Sequence, residues 1–321
     1  WLLYPVVGVL ALLSIGGAIE TGIEATDGSR SPNGGQLVDV GGYKLFISCT
    51  GTGSPTVVLE GGLGQGSDYF ALIAPAVATK TRVCVYDRAG HGRSEDAIGA
   101  QDGMTIARDL HALLAASGNQ GPYILAGHSA GGAYVRFFAA AYPSELAGLV
   151  LLDSMSPHLQ PAQSAGQSSD NPMSTLAGVL PGVARVGVAR LLSGVGSNDL
   201  PGDVSARRRS FESTPRAASS FGEEFLRLDG ILDAAGALPD LGGRPLVVVT
   251  AMTDASDGWL DQQNRLATLS TNASHLVFQD LTHDGLIETV TGATAASDAI
   301  VAVVSSVRSG TLLDGSMASQ R

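Results

Sequence analysis

Short, nearly unbroken apolar runs recur along this chain. Examples are Thr56-Val57-Val58-Leu59, Val83-Cys84-Val85-Tyr86, Ile124-Leu125-Ala126, Leu149-Val150-Leu151-Leu152, Leu246-Val247-Val248-Val249 and Leu276-Val277-Phe278. A strand that is apolar at successive residues is buried on both faces, the pattern of a parallel sheet covered by helices. Helical segments fall between the runs: Ser67 to Thr79, Thr105 to Ser117, Gly132 to Tyr142 before Pro143, Trp259 to Leu269, and Gly292 to Val307. The start of the pattern differs, because Gln36 to Val40 and Tyr43 to Cys49 alternate around Gly41-Gly42, as a hairpin does. The fold class is therefore α/β with a mainly parallel sheet. In such sheets ligands gather at the carboxyl ends of the strands. Gly61-Gly62, Asp87, Ser129, Asp153, Asp254 and His283 all fall at such ends.

The alternation breaks once. From Ser154 to Leu241 no strand pattern appears, and Met173 to Val195 and Phe221 to Leu238 read as helices of an insertion. This divides the chain into an apolar segment (1–25), a linker (26–35), a first core part (36–153), a helical cap (154–241), a second core part (242–308) and a tail (309–321). Residues Trp1 to Ile19 carry no charge and are long enough to span a bilayer. They read as an uncleaved anchor, with a signal peptide as the alternative, although no A-x-A site follows. On either reading the folded domain lies outside the cytoplasm, membrane-anchored or secreted. The formal net charge is −11, and Lys44 and Lys80 are the only lysines, so a nucleic-acid partner is not expected. Arg207-Arg208-Arg209 reads as the solvated face of a helix. Cys49 and Cys84 have no metal-binding spacing and read either as buried thiols or, in an exported domain, as a disulfide.

Gly127-His128-Ser129-Ala130-Gly131 is a G-x-S-x-G pentapeptide between a predicted strand and a predicted helix. In that setting it describes a sharp turn that projects a serine hydroxyl into a cleft. A serine needs a base to take its proton, and the base needs an acid to orient it. His283 follows the last predicted strand and precedes the last helix, where a base would stand. The other histidines fit less well. His111 lies within a helix, His275 begins a strand, His158 opens the insertion, His91 sits in a glycine-rich turn, and His128 is expected to point away from the site.

These features resemble the α/β-hydrolase fold superfamily over about Gln36 to Val307: the elbow, the D-R-x-G-x-G-x-S turn from Asp87 to Ser94, the Gly61-Gly62 pair, and the order nucleophile, acid, histidine. The resemblance implies an eight-stranded sheet with its second strand antiparallel, helices on both faces and a helical cap after the sixth strand. It implies an oxyanion hole made by the backbone N–H groups of Ala130 and Gly62. Many relatives open the loop before that donor with His-Gly. Here Glu60-Gly61 stands instead, and Glu60 is expected to be a buried structural carboxylate. The acid is open between two residues. The family places it after the seventh strand, which points to Asp254, or in some branches after the sixth, which points to Asp153; Asp257 shares the loop of Asp254. The family's pairing of the second strand with the fourth would also bring Cys49 and Cys84 side by side.

The expected activity is a serine hydrolase of carboxylic esters, carboxylesterase- or lipase-like, on a small apolar substrate. The alternatives are another acyl or carbon–carbon bond hydrolase on the same triad, or a catalytically silent membrane-anchored binding protein. No cofactor or metal is expected. No phosphate loop, dinucleotide fingerprint or zinc spacing is present in the sequence.

Overall fold

The computed structural model describes residues 16–19, 22, 34–157, 172–186 and 198–313, with the side chains of 172–177 left aside. Of the apolar segment expected to anchor the chain, only one helical turn at 16–19 is described. His158 also lies outside the described residues.

Eight strands form one sheet: β1 (Gln36–Asp39), β2 (Lys44–Thr50), β3 (Thr56–Glu60), β4 (Val83–Tyr86), β5 (Tyr123–His128), β6 (Leu146–Leu152), β7 (Leu246–Ala251) and β8 (Ala273–Phe278). Their spatial order is β1-β2-β4-β3-β5-β6-β7-β8. β2 runs antiparallel to both β1 and β4, and every other neighbouring pair is parallel. Among the described residues from 34 onward the α-helices are α1 (Ile73–Ala78), α2 (Gly103–Ala116), α3 (Gly131–Ala141), α4 (Pro172–Arg185), α5 (Gly202–Glu212), α6 (Pro215–Ala235), α7 (Trp259–Ala267), α8 (Gly285–Glu288) and α9 (Val290–Ser309). Side-chain caps start several of them. Asp102 accepts the Thr105 N–H before α2, Thr214 accepts the Ala217 N–H before α6, and Thr289 accepts the Gly292 N–H before α9.

Successive strand residues feed opposite sides of the sheet, as the pleat requires. Val58, Leu125, Leu149, Leu151 and Val248 pack with α2, α3 and Leu266 of α7. Val57, Leu59, Ile124, Val150 and Val249 pack with α1 and α9. α9 is long and apolar enough to cross a membrane. Its Ile300, Val303 and Val304 are instead buried against the sheet.

The predicted helix from Ser67 to Thr79 is two pieces, a 3₁₀ turn at Ser67–Phe70 and the short α1. Between β6 and β7 the described chain is helical, in α4, α5 and α6. The arginine triplet sits on α5 but is not a solvated face. Arg207 pairs with Asp68 at 3.2 Å, and Arg208 pairs with Glu288 at 2.6 Å, so the helix is bolted to the core. Arg216 adds a pair with Asp96 at 2.7 Å. Cys49 and Cys84 face each other across β2 and β4 and form a disulfide.

Candidate active site

β5 ends at His128, and the next residue, Ser129, has a left-handed backbone with φ 54°. For a residue with a side chain such a conformation costs about 1–3 kcal/mol and is kept only where the surroundings impose it. Here they do. The Ser129 N–H donates to the Leu152 carbonyl at 3.1 Å, while its own carbonyl accepts from Gly132 at 3.1 Å and Met155 at 2.9 Å. The flanking glycines let backbone pass backbone. A Cβ on Gly127 would sit 2.5 Å from the Gly131 carbonyl carbon, and one on Gly131 would sit 2.6 Å from the carbonyl oxygens of Glu60 and Gly61. The serine is thereby held at the start of α3, partly open to solvent.

Asp153, just past β6, is also left-handed, with φ 44°. Its Oδ2 accepts from His283 Nδ1 at 2.6 Å. Its Oδ1 accepts the Ala251 N–H at 3.0 Å and the Trp259 indole N–H at 2.8 Å, which fix the carboxylate plane. A carboxylate only accepts, so Nδ1 of His283 carries the proton, and the neutral ring keeps its lone pair at Nε2. Burial pulls the His283 pKa down, but the hydrogen bond and charge of Asp153, joined by Asp284 and Asp254, outweigh it and raise the pKa above 6.5. Asp254, the other expected acid, does not touch the ring. Its Oδ1 accepts the backbone N–H of His283 at 2.9 Å. That loop after β7 reaches the chain of His283, whereas the end of β6 lies under its ring. Among the described residues no hydrogen bond joins the Ser129 hydroxyl to the His283 ring; such contacts are often loose before substrate binds.

His128 does not point away. It is fully buried, and its ring lies 4.5 Å from that of His283. Its Nε2 is 3.2 Å from the His283 carbonyl and its Nδ1 is 3.0 Å from Gln65 Oε1. Burial, with the His283 charge, pushes its pKa down to about 3, so the ring is neutral and donates to one of these two oxygens.

The expected oxyanion donors stand differently. The Ala130 N–H has no partner among the described residues. The Gly62 N–H donates to Gln65 Oε1 at 2.7 Å. A Cβ on Gly62 would lie 2.8 Å from Ser129 Cβ, so that N–H and the amide of Gln65 are next to the serine. Nothing in the sequence marked Gln65.

The Glu60 carboxylate is buried and accepts from Arg88 Nη1 at 2.7 Å and from the Tyr86 hydroxyl. Burial raises its pKa against the pull of Arg88. Asp87 is structural as well: it accepts the backbone N–H of Ser67 at 2.6 Å and of Arg93 at 2.9 Å. His91 meets the buried Glu224 at 3.2 Å. His111 stacks on Tyr142 at 4.0 Å, and His275 bonds Thr250 at 2.7 Å, both away from the serine.

The sheet order, the elbow after β5 and the histidine after β8 define a class, and comparison with known proteins agrees. Residues 55–290 match the alpha/beta hydrolase fold family, which is more than half of the chain. The chain belongs to that family. Over 121 residues it is 31% identical to the protein YbdG of Bacillus subtilis, covering 37% of each chain. Over 118 residues it is 30% identical to a 2-hydroxy-6-oxo-6-phenylhexa-2,4-dienoate hydrolase of Comamonas testosteroni, covering 36% of this chain and 41% of that one. These matches span about two fifths of the relatives' own length. In structure it is similar to an esterase from Thermogutta terrifontis, with a TM-score of 0.65 at 21% identity, covering 85% of this chain and 98% of the esterase.

Proposed function

We propose that this chain is a serine hydrolase of carboxylic esters with Ser129 as nucleophile, His283 as base and Asp153 as the orienting acid. The observation that carries the reading is the His283 Nδ1–H to Asp153 hydrogen bond of 2.6 Å beside a serine held at a left-handed elbow. With Nδ1 so occupied, Nε2 takes the proton from Ser129 Oγ as the hydroxyl attacks the ester carbonyl, and returns it to the leaving alcohol. Water then repeats the sequence on the acyl-enzyme. The oxyanion is received by the Ala130 and Gly62 N–H groups. Gln65 Oε1 now lies on the Gly62 N–H, and the substrate oxygen takes its place. Asp254 supports the base by holding its backbone.

The domain is proposed to work outside the cytoplasm, attached by residues 1–19. The Cys49–Cys84 disulfide favours an oxidising compartment, and the apolar segment fits an anchor.

The test is chemical. A fluorophosphonate should label Ser129, and the protein should turn over p-nitrophenyl esters of graded acyl length. Ser129→Ala and His283→Ala should each remove nearly all turnover, and the double variant should lose little more, because the pair acts as a unit. Turnover retained by folded Ser129→Ala would end this reading. Labelling without turnover of any ester would move it to another acyl or carbon–carbon substrate.

A further inference from the structure

Glu224 belongs to helix α6 of the cap, yet its carboxylate is buried among core residues. Oε2 accepts the Gly64 N–H at 2.7 Å. Oε1 accepts from Arg88 Nη2 at 2.7 Å, from Arg88 Nε at 3.1 Å and from the Tyr134 hydroxyl at 2.9 Å. Arg88 in turn donates Nη1 to the Gly61 carbonyl and Nη2 to the Gly62 carbonyl, each at 2.7 Å. The cap acid therefore holds the turn after β3 twice. It grips Gly64 directly, and through the guanidinium it pins the two carbonyls before it.

The consequence lies in peptide geometry. Cis bonds occur at Ser54-Pro55 and Gly121-Pro122, and the Gly61–Gly62 bond is trans. In a trans peptide the C=O and the N–H point in opposite directions. With its carbonyl fixed on Arg88, this peptide aims the Gly62 N–H away from Arg88 and onto Gln65 Oε1. A Cβ added to Gly62 would lie 2.8 Å from Ser129 Cβ and 3.1 Å from that same oxygen, so the donor stands beside the serine. A donor stabilises a developing oxyanion only when its direction is set beforehand. An error of about 1 Å in such placement costs on the order of 100-fold in rate.

We propose that Glu224 and Arg88 are positioning residues of the oxyanion hole, so that transition-state stabilisation depends on the seating of the cap. The inference rests on the reading of Ser129 as the nucleophile of an ester hydrolase. A carboxylate that only latched the cap would affect stability or substrate affinity. One that aims a donor affects the chemical step.

Glu224→Gln tests this at constant shape. Glutamine has one accepting oxygen where glutamate has two. Arg88 and Tyr134 bring three donors to Oε1, against the Gly64 N–H and His91 Nε2 at Oε2, so the amide oxygen turns to the three and the –NH2 group faces the Gly64 N–H and His91, which releases the turn. With p-nitrophenyl butyrate, kcat should fall about 10- to 100-fold while KM stays within about twofold. The inhibition constant of a trifluoromethyl ketone analogue, which forms an oxyanion on Ser129, should rise by the factor that kcat/KM loses. The exposed neighbour variant Glu223→Gln should keep wild-type values. Tyr134→Phe removes one donor from Glu224 and leaves its charge paired, and should show a smaller loss of the same kind, about three- to tenfold. It decides the matter if Glu224→Gln does not fold. A folded variant with unchanged kcat, a loss confined to KM, or a ketone affinity unmoved while kcat falls would overturn the proposal. Fluorophosphonate labelling and ester turnover by the wild-type protein are read first. If those fail, the hydrolase reading has failed and takes this inference with it; if they hold, the variants judge positioning alone.

Discussion

His283 is held by two aspartates through different atoms. Asp153 accepts from the ring and Asp254 from the backbone. Asparagine at 254 still offers an oxygen to the backbone N–H, so Asp254→Asn should keep kcat within about threefold. Asparagine at 153 offers the ring an ambiguous partner and lets it take the wrong tautomer, which in such triads costs about 10⁴ in kcat. The pH profile separates the two effects further. The base must be neutral, so wild-type kcat/KM should rise with pH through a His283 pKa that lies above 6.5. Asp153→Asn removes the main contact that raises this pKa and leaves burial to depress it, so the acid limb should move to lower pH. An unmoved limb would refute the assignment. Stability runs the other way. With the folded pKa above the unfolded value of 6.5, the protonated pair stabilises fully below that value, and the contribution is lost as pH rises through the folded pKa. Ser129 and His283, the proposed nucleophile and base, could be singled out from the sequence because motif and chain order mark them. Which aspartate meets the His283 ring could not be read there, since both aspartates follow strands and only the ring's orientation distinguishes them. Gln65 and the inward His128 were illegible for the same reason: each is defined by what a neighbouring strand presents to it.

At the scale of elements, the strand–elbow–helix unit was readable because apolar run, glycines and proline stop are all local. Segments without such local support shifted. Ser67 to Thr79 became a 3₁₀ turn and a six-residue helix, as Pro75 and the tight entry from Gly66 leave too few residues for a longer one. The predicted helix Met173 to Val195 is described only in part, as α4 from Pro172 to Arg185. The elbow's tightness has a measurable cost of disturbance. At Gly131→Ala the added Cβ would lie 2.6 Å from two backbone carbonyls, of Glu60 and Gly61. Backbone yields less readily than a side-chain end, so α3 and the turn after β3 must separate. Unfolding by urea should show a loss of about 1–3 kcal/mol, the range of overpacked cores. Turnover should fall at least 100-fold, because the Ala130 N–H moves with the helix. A variant with wild-type kcat would mean that this close approach does not place the donor.

Across the whole molecule, what escaped the sequence is the set of long-range ties between cap and core. Glu224–Arg88, Arg207–Asp68, Arg208–Glu288 and Arg216–Asp96 each join the insertion to a distant part of the chain, and no local pattern announces them. The exposed Arg216–Asp96 pair contributes little, whereas the buried Glu224–Arg88 pair is costly to break singly. The opposite edge of the molecule depends on a covalent tie. β1 and β2 are the antiparallel end of the sheet, and β2 joins the parallel strands only along β4. The Cys49–Cys84 bond crosses that seam and closes a loop with a sequence separation of 35. By the loop-entropy relation it should stabilise by roughly 3–4 kcal/mol. The bond sits mid-strand in β4, away from the carboxyl ends of β5 and β6 that carry Ser129 and Asp153. Replacing both cysteines with alanine should therefore lower the unfolding free energy by that amount, and the urea midpoint by that amount divided by the m-value. The kcat on p-nitrophenyl butyrate at 25 °C should stay within about twofold, since distant sites act independently. Mass spectrometry of the unreduced, alkylated wild-type protein from its native compartment should show neither cysteine alkylated. Two alkylated cysteines would remove both the tie and its support for a domain outside the cytoplasm. An unchanged midpoint in the double variant would show that β2 is held by its ladder to β4 alone.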